Sequence, residues 1–170
     1  EVEYWNYSSI INSEQNYHIE DFEQVVQESI RLRCDADVEV GCFLSGGYDS
    51  SLTAAMMQRI SKKPIKTFTI GFSESEFDES GYAKNIAKYI GSEHHQLICT
   101  PDFVRSIISE LPDIWDDPIA DSSVFPTLLV SQLACKHVKV ALSSDGGDEL
   151  FAGYNHYSSS LLISGVLKLL

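Results

Sequence analysis

The sequence predicts an α/β fold, in which a parallel sheet is covered by helices on both faces. Short apolar runs of strand length, at 39–44, 65–72, 94–99 and 138–142, alternate with segments of helical periodicity. No hairpin signal joins one run to the next, as is typical of a parallel sheet. Two of the runs lead directly into turns that contain Gly-Gly, and ligands of such sheets bind beyond the carboxyl ends of the strands. We therefore expect both turns to open on one crevice.

Five segments carry the apolar spacing of helices that pack on a sheet. The inward-facing residues are predicted to be Phe22, Val25, Val26 and Ile30 in the helix 21–33, Leu52, Ala55, Met56 and Ile60 in the helix 49–60, and Tyr82, Ile86, Tyr89 and Ile90 in the helix 80–90. Gly91 is expected to end the third helix, and Thr100 and Pro101 are expected to begin the fourth. A turn-rich stretch, 112–123, precedes the fifth helix, which is predicted to end near His137.

Composition narrows the class of protein. The 170 residues suffice for about one domain with a buried core. Twelve basic and 25 acidic side chains leave a formal net charge of −13, which disfavours nucleic-acid binding. Long apolar runs and a secretory signal are both lacking, so no membrane span and no secretion are expected. The four cysteines form no CxxC pair, and Cys42, Cys99 and Cys135 lie among apolar residues. Reduced, buried, structural thiols and a cytoplasmic location are therefore predicted.

The first Gly-Gly turn, within residues 43–51, follows a strand and opens a helix. Gly46 and Gly47 allow positive φ angles and the close approach of a ligand to the backbone. The helix that begins near Asp49 directs free amide groups and its dipole at an anion, and the Ser hydroxyls add donors for phosphate oxygens. Asp49 would repel phosphate, so a role as a Mg²⁺ ligand is the better explanation. No Lys follows the glycines, which excludes the Walker loop, and a plain strand-to-helix turn is the alternative.

The second turn holds three acids, Asp145, Asp148 and Glu149, around a second Gly-Gly pair. Such crowding is costly unless a cation or a cationic group of a substrate lies nearby. The alternative is a solvated acidic turn in which Asp148 and Glu149 open the next helix, where the helix dipole favours acids. The neighbouring histidines His94 and His95 face opposite sides of a strand, so a structural or rim role is predicted for them rather than metal ligation.

Longer motifs carry a resemblance to a known family. The segment 45–51, Ser-Gly-Gly-Tyr-Asp-Ser-Ser, resembles the SGGxDS signature of the ATP pyrophosphatase (PP-loop) superfamily. The segment 142–154, LSSDGGDELFAGY, resembles the LSGDGGDELFGGY motif of asparagine synthetases. Two further stretches agree with that family in the same order: TIGF at 69–72 with FDES at 77–80 and GSEHH at 91–95, and DPIADSS at 117–123. The chain is thus identified as similar to the C-terminal synthetase domain of the glutamine-hydrolysing asparagine synthetase family.

The resemblance implies an adenine nucleotide alpha hydrolase-like (Rossmann-like) fold and a site for ATP with Mg²⁺. It implies pyrophosphate binding by Ser45, Gly46, Gly47, Asp49, Ser50 and Ser51, and an adenosine border of Leu44, Ile70 and Ser143. Ser144 is implied beside the nucleotide, near the ribose or the acceptor, and Asp49 and Asp148 are the implied Mg²⁺ ligands. Asp145 and Asp148 are the implied catalytic acids, with Asp145 near the acceptor or its amino group. Asp117, Asp121 and Ser122 are implied at the entrance of the acceptor pocket.

Three residues depart from the family pattern. Tyr48 replaces a small aliphatic residue and is expected to fill core space under the loop. Ser144 replaces a Gly beside the nucleotide, a change that could alter the choice of substrate. Ala152 replaces another Gly, with a minor effect expected.

The expected organisation is a lead-in or linker at 1–18, the PP-loop domain at 19–157, and the start of a truncated helical region at 158–170. Residues 161–170 are apolar on most helical faces, so they are expected to continue into missing sequence or to pack on another subunit in a homodimer. The sequence does not contain the glutaminase domain of the family, nor the Lys that the family uses downstream of the acidic motif. Both are expected in the parent protein.

The function implied is an ATP-dependent amide-forming ligase. A carboxylate, with aspartate favoured, is adenylated with release of pyrophosphate, and ammonia then forms the amide. Two alternatives stay open: adenylation of another acceptor, as in a sugar amidotransferase or a lactam synthetase, and a nucleotide-binding fragment without turnover.

Overall fold

The computed structural model describes residues 18–74, 76, 78–117, 120–154, 156–157 and 159–160. The helices are α1 (Ile19–Cys34), α2 (Tyr48–Ile60), α3 (Ser80–Ile90), α4 (Pro101–Ile107), α5 (Leu111–Ile114), α6 (Val124–Cys135) and α7 (Gly147–Phe151), with a 3₁₀ turn at Ile108–Glu110. The strands are β1 (Val40–Phe43), β2 (Lys66–Phe72), β3 (Glu93–Cys99) and β4 (Val140–Leu142). The expectations for 1–17 and 161–170 lie outside the described residues.

The strands form one parallel sheet in the order β3-β2-β1-β4. In this register Cys42 of β1 lies beside Leu142 of β4, so the two strands end level with each other. The backbone continues the pairing past β1, because the Leu44 amide donates to the Phe68 carbonyl at 2.9 Å. The two Gly-Gly turns therefore emerge side by side at the carboxyl edge of the sheet, as predicted.

Each face of the sheet has its own core. On one face α1, α2 and α3 cover a cluster that includes Leu44, Ala54 and Ala83. On the other face α6 packs on β2 and β3, where Leu133 meets the fully buried ring of Phe68. The predicted α/β fold, a parallel sheet with helices on both faces, is confirmed.

The predicted inward face of α3 is wrong for its two tyrosines. Tyr82 is 69% exposed and Tyr89 is 92% exposed, whereas Ala83 and Ala87 are fully buried. The reason is spacing: small side chains allow α3 to approach β2 closely, and tyrosine rings at these positions would hold the helix away from the sheet. The same effect operates in α2, whose most buried stripe is Ser50, Ala54 and Met57. The predicted stripe of Leu52, Ala55, Met56 and Ile60 is only half-buried.

The first helix and the cysteines need similar corrections. Val25 is 68% exposed and Phe22 is 36% exposed, so only the Val26 and Ile30 side of α1 packs on the core. Cys42 and Cys99 are buried, as expected, and burial raises the pKa of Cys42 to about 12. Cys135 is exposed, because it is the last residue of α6.

The predicted helix boundaries agree with the structure where a specific capping residue sets them. Gly91 adopts the left-handed conformation after α3, with φ 77°, and its amide donates to the Ala87 carbonyl. Thr100 accepts the Phe103 amide at 3.2 Å, and Pro101 begins α4. The stretch 112–123 is less irregular than predicted, since it contains most of the short helix α5.

Candidate nucleotide-binding site

The first turn differs in one detail from the prediction that both glycines adopt positive φ. Gly46 has φ 97°, a left-handed conformation that favours glycine, whereas Gly47 is extended at φ −72° and ψ 169° and precedes α2. A side chain at Gly46 would also meet the start of α3, since a Cβ there would lie 2.9 Å from the Ala83 amide nitrogen. No described side chain caps α2, so its first-turn amides face the space beyond β1.

The three serines of this turn have different environments. Ser50 is 5% exposed, and its hydroxyl accepts the Ser45 amide at 3.2 Å and lies 2.9 Å from the Ser45 hydroxyl. The Ser51 hydroxyl donates to the Gly47 carbonyl. Ser45 is exposed, and its hydroxyl accepts the Gly47 amide. Ser50 therefore supports the loop from the buried side, while Ser45 is an exposed residue whose hydroxyl links the Ser50 hydroxyl to the Gly47 amide.

The second turn repeats this backbone design. Gly146 has φ 92°, and Gly147 begins α7 directly after it. The Gly147 amide donates to the Ser144 carbonyl at 3.1 Å, and the Ser143 hydroxyl accepts the Asp145 amide at 3.2 Å. These bonds hold the acidic segment in a tight turn at the end of β4.

The two turns touch each other through Asp49 and Gly147. A Cβ on Gly147 would lie 2.6 Å from the nearer carboxylate oxygen of Asp49, so the Asp49 side chain rests on the bare Cα of Gly147. A shared crevice of about 800 Å³ opens beside this contact. Its walls include Ser45, Gly47, Asp49 and Ser50 from the first turn and Ser144, Asp145, Gly146, Gly147 and Asp148 from the second.

A smaller slot of about 240 Å³ lies on the far side of Ser45. Leu44 and Ile70, two residues of the implied adenosine border, line this slot. Ser143 lies apart from them, on the side of the second turn. Pro126, Thr127 and Val130 of α6 also line the slot, and they are not among the predicted site residues, because the sequence does not reveal the packing register of α6.

Tyr48 contradicts the expectation that it fills core space. Its side chain is 96% exposed and stands at the wall of the crevice. Position 48 begins α2 on the side away from the sheet, where an aromatic ring has no core to enter.

The second turn continues into a hydrogen-bonded pair, since the Tyr154 hydroxyl donates to a Glu149 carboxylate oxygen at 2.7 Å. This bond lowers the pKa of Glu149 and raises the pKa of Tyr154 to about 12. Both residues line the crevice.

Other motif residues have structural roles. Asp78 accepts the amides of Phe72 and Ser80 and so links the end of β2 to α3, and the hydrogen bonds from Ser80 hold its pKa below the usual range. Asp121 accepts the Ser123 amide at 2.8 Å ahead of α6, and this bond lowers its pKa. Asp117, Asp121 and Ser122 are exposed and lie outside the described walls of the crevice and the slot.

The histidines are built into the sheet. His94 Nδ1 lies 3.0 Å from the Thr67 hydroxyl, while His95 stacks on His137 with ring centroids 3.8 Å apart. The two rings thus face opposite sides of β3, which agrees with a structural role. Among the described residues, no group of three or more His, Cys, Asp or Glu side chains is placed to hold a metal ion. The helices in the described ranges also include none that is long and apolar enough to span a membrane.

Comparison with known sequences identifies the family. The family model described as asparagine synthase matches residues 21–168. The chain belongs to the asparagine synthase family. It is 37% identical over 152 residues to a putative glutamine-hydrolyzing asparagine synthetase of Methanocaldococcus jannaschii, covering 89% of this chain and 29% of that protein. It is 35% identical over 170 residues to asparagine synthetase 1 of Bacillus subtilis, covering 94% of this chain and 26% of that protein. The chain thus spans about a quarter of the length of these relatives.

Solved structures give the same fold for this asparagine synthase family domain. An NH3-dependent NAD synthetase from Campylobacter jejuni superposes with a TM-score of 0.57 at 16% identity, covering 82% of this chain and 62% of that one. An NMN synthetase from Francisella tularensis superposes with a TM-score of 0.55 at 14% identity, covering 82% and 59%. These likenesses agree with the predicted α/β fold.

Proposed function

We propose that the crevice binds ATP with Mg²⁺ and that the parent protein uses it to activate a carboxylate for amide formation. The acceptor carboxylate attacks the α-phosphorus, pyrophosphate leaves, and ammonia then displaces AMP from the acyl-adenylate. The observation that carries this proposal is the contact of Asp49 with Gly147, because it joins the phosphate-type turn and the acidic turn in one site.

Pyrophosphate binding is supported by the first turn. The uncapped amides at the start of α2, the hydroxyl-bearing Ser45 in the crevice wall and the helix dipole all favour an anion. Local donors of this kind are needed, because the chain as a whole carries a formal net charge of −13.

The donor set of the crevice fits Mg²⁺. Asp49 and Asp148 supply two carboxylates, and Mg²⁺ is usually bound by one or two carboxylates together with substrate phosphates and water. When bound, the ion neutralises charge on the phosphates. Asp49 and Asp148 would hold it, and the turn amides would orient the leaving pyrophosphate.

The slot supports an assignment for the nucleoside. Leu44, Ile70 and Val130 are apolar lining residues of the slot, and Ser45 lines both the slot and the crevice. A purine ring in the slot would leave the phosphates beside the first turn.

Asp145 is the proposed contact for the acceptor, since its exposed carboxylate lines the crevice beyond the metal ligands. Aspartate is the favoured acceptor, and the ammonia is proposed to come from a glutaminase domain of the parent protein, because the relatives are named glutamine-hydrolyzing. Ser144 adds a side chain to the crevice wall, which keeps a non-aspartate carboxylate as the second candidate.

The decisive variant is Asp49→Ala, with Asp37→Ala as a control at an exposed position away from the crevice. Calorimetry with ATP and Mg²⁺ measures binding, and ATP–pyrophosphate exchange with aspartate, then with other carboxylic acids, measures adenylation. We expect Asp49→Ala to lose Mg²⁺-dependent binding and exchange while Asp37→Ala keeps both. Unchanged exchange in Asp49→Ala would overturn the assignment. Binding by the wild type without exchange would restrict the function of this chain to nucleotide binding.

A further inference from the structure

The turn that follows α7 folds back on the helix. Ala152 ends α7 in the left-handed conformation, with φ 56°, and the Gly153 amide donates to the Asp148 carbonyl at 3.0 Å. Residues 152–154 thereby lie over the first turn of the helix, next to the Asp148 side chain.

Gly153 provides the space for the Asp148 carboxylate. A Cβ on Gly153 would overlap a carboxylate oxygen of Asp148 and would lie 3.0 Å from its Cγ. The backbone of Gly153 is not in the left-handed region, so its lack of a side chain matters for space and not for conformation. Both residues line the crevice, with Gly153 behind the Asp148 carboxylate.

Tyr154 holds this turn in place. Its hydroxyl donates to Glu149 at 2.7 Å, and Glu149 is the neighbour of Asp148 on α7. The Tyr154 ring also stacks near His156, with centroids 5.1 Å apart. The hydrogen bond thus connects the residue after Gly153 to the residue after Asp148, and closes the turn that contacts the Asp148 carboxylate.

We propose that Gly153, Tyr154 and Glu149 are positioning residues that fix the Asp148 carboxylate for the divalent cation. The inference rests on the proposed function, since it requires that Asp148 binds Mg²⁺ together with the phosphates of ATP. Asp49 has an equivalent support in the bare Cα of Gly147. Each proposed metal ligand therefore packs against a glycine. The turn beside Asp148 is also closed by the hydrogen bond between Tyr154 and Glu149.

The test separates positioning from simple stabilisation of the chain. In the full chain, calorimetry at a fixed ATP concentration measures the Mg²⁺ concentration that gives half-maximal ATP binding. Tyr154→Phe removes the hydroxyl alone, and Glu149→Ala removes its acceptor. Glu149→Gln removes the charge but keeps an oxygen that accepts the bond. Tyr89→Phe is the matched control, because Tyr89 is 92% exposed on α3, away from the crevice.

We expect Tyr154→Phe and Glu149→Ala to raise the half-maximal Mg²⁺ concentration about 10-fold, the low end of the effect of residues that orient metal ligands. ATP affinity at saturating Mg²⁺ should change little, Glu149→Gln should restore most of the Mg²⁺ response, and Tyr89→Phe should match the wild type. In an Asp148→Asn background, Tyr154→Phe should have no further effect, which a purely structural role would not produce.

A second pair of variants tests the space that Gly153 leaves for the Asp148 carboxylate. Gly153→Ala is expected to displace the Asp148 carboxylate and to raise the half-maximal Mg²⁺ concentration. Gly81→Ala should not, because no atom outside its chain neighbours and its own helix backbone lies within 4 Å of its Cβ position. If the wild type binds Mg²⁺ and ATP and both Tyr154→Phe and Gly153→Ala respond as the wild type does, the positioning role is overturned and the proposed function stands. If the wild type shows no Mg²⁺-dependent binding, the proposed function itself is overturned.

Discussion

The Asp49 carboxylate rests on the Cα of Gly147, and this contact defines the candidate site. A Cβ on Gly147 would lie 2.6 Å from Oδ2 and 2.7 Å from Cγ of Asp49. The contact arises because β1 and β4 are neighbours in register, so that the helices that follow them start side by side. A phosphate-type turn and an acidic turn that are about 100 residues apart in the sequence thus form one surface.

The first prediction concerns this contact. Gly147→Ala forces the Asp49 side chain or the start of α7 to move, because a Cβ atom essentially never lies within 3.0 Å of another heavy atom. We expect the affinity for ATP with Mg²⁺ to fall at least about 10-fold, or about 1.4 kcal/mol of binding free energy. Calorimetry on the variant and on the Gly81→Ala control measures it. An affinity equal to that of the wild type would show that the contact has no part in binding.

The second prediction concerns the support beneath the first turn. Ser50→Ala removes a buried hydroxyl that accepts the Ser45 amide, so that amide loses its partner. We expect the free energy of unfolding to fall by about 1–3 kcal/mol. Urea denaturation of Ser50→Ala and of Ser51→Ala measures the difference. Ser51 is less buried, and the backbone carbonyl that its hydroxyl contacts also accepts the Ser51 amide. A larger loss in Ser51→Ala than in Ser50→Ala would contradict this account.

The third prediction uses the conformation of Ala152. Its φ of 56° lies in the left-handed region, where alanine is less stable than glycine by about 1 kcal/mol. We expect Ala152→Gly to raise the free energy of unfolding by about 0.5–1 kcal/mol, measured as a higher urea midpoint at an unchanged m-value. Ala55→Gly, in the middle of α2, should lower the midpoint instead. A decrease in both variants would argue against the left-handed turn at the end of α7.

Ala152 also shows what a comparison with the family's sequence pattern leaves unexplained. The pattern has Gly where this chain has Ala152, and the expected minor effect of that change stays a prediction. The structure supplies a physical reason for the glycine, since position 152 is left-handed. Position 153 needs a glycine for a different reason, the space for Asp148, which no local sequence rule could reveal.

The strands and both turns were predictable from the sequence because their signals are local. The apolar runs 39–44 and 138–142 lead into turns that contain Gly-Gly, and in the structure β1 and β4 end just before these turns. Helix orientation was less predictable, because aromatic residues dominate a hydrophobic pattern even where alanines make the contact. The pattern therefore predicts that Tyr82 and Tyr89 face inward, whereas in the structure Ala83 and Ala87 are the buried residues.

The walls of the site required the tertiary structure. The α6 residues of the slot, such as Thr127, carry no chemical motif, and only the packing of α6 on the sheet brings them to Ile70. The exposure of Tyr48 likewise depends on which side of α2 meets the sheet. Site residues that act through shape, in contrast to those that act through charge or hydrogen bonds, leave little trace in a single sequence.

The last prediction concerns the pH dependence of stability. Burial, followed by the charges of His95 and Lys84, lowers the pKa of His94, whose Nε2 is buried without a hydrogen-bond partner among the described residues. Above the unfolded pKa of about 6.5, His94 is neutral in both the folded and the unfolded chain, and its contribution to the free energy of unfolding is fully present. As the pH falls below that value, the unfolded chain takes up a proton that the folded chain resists. Stability therefore decreases by at most about 1.4 kcal/mol per pH unit, and by less where solvent reaches the ring.

Urea denaturation at pH 7.5 and pH 5.5 measures this decrease. We expect a smaller loss of stability for His94→Asn than for the wild type, with His156→Asn, at an exposed position, as the control. Equal losses in all three proteins would exclude His94 as the source of the acid sensitivity.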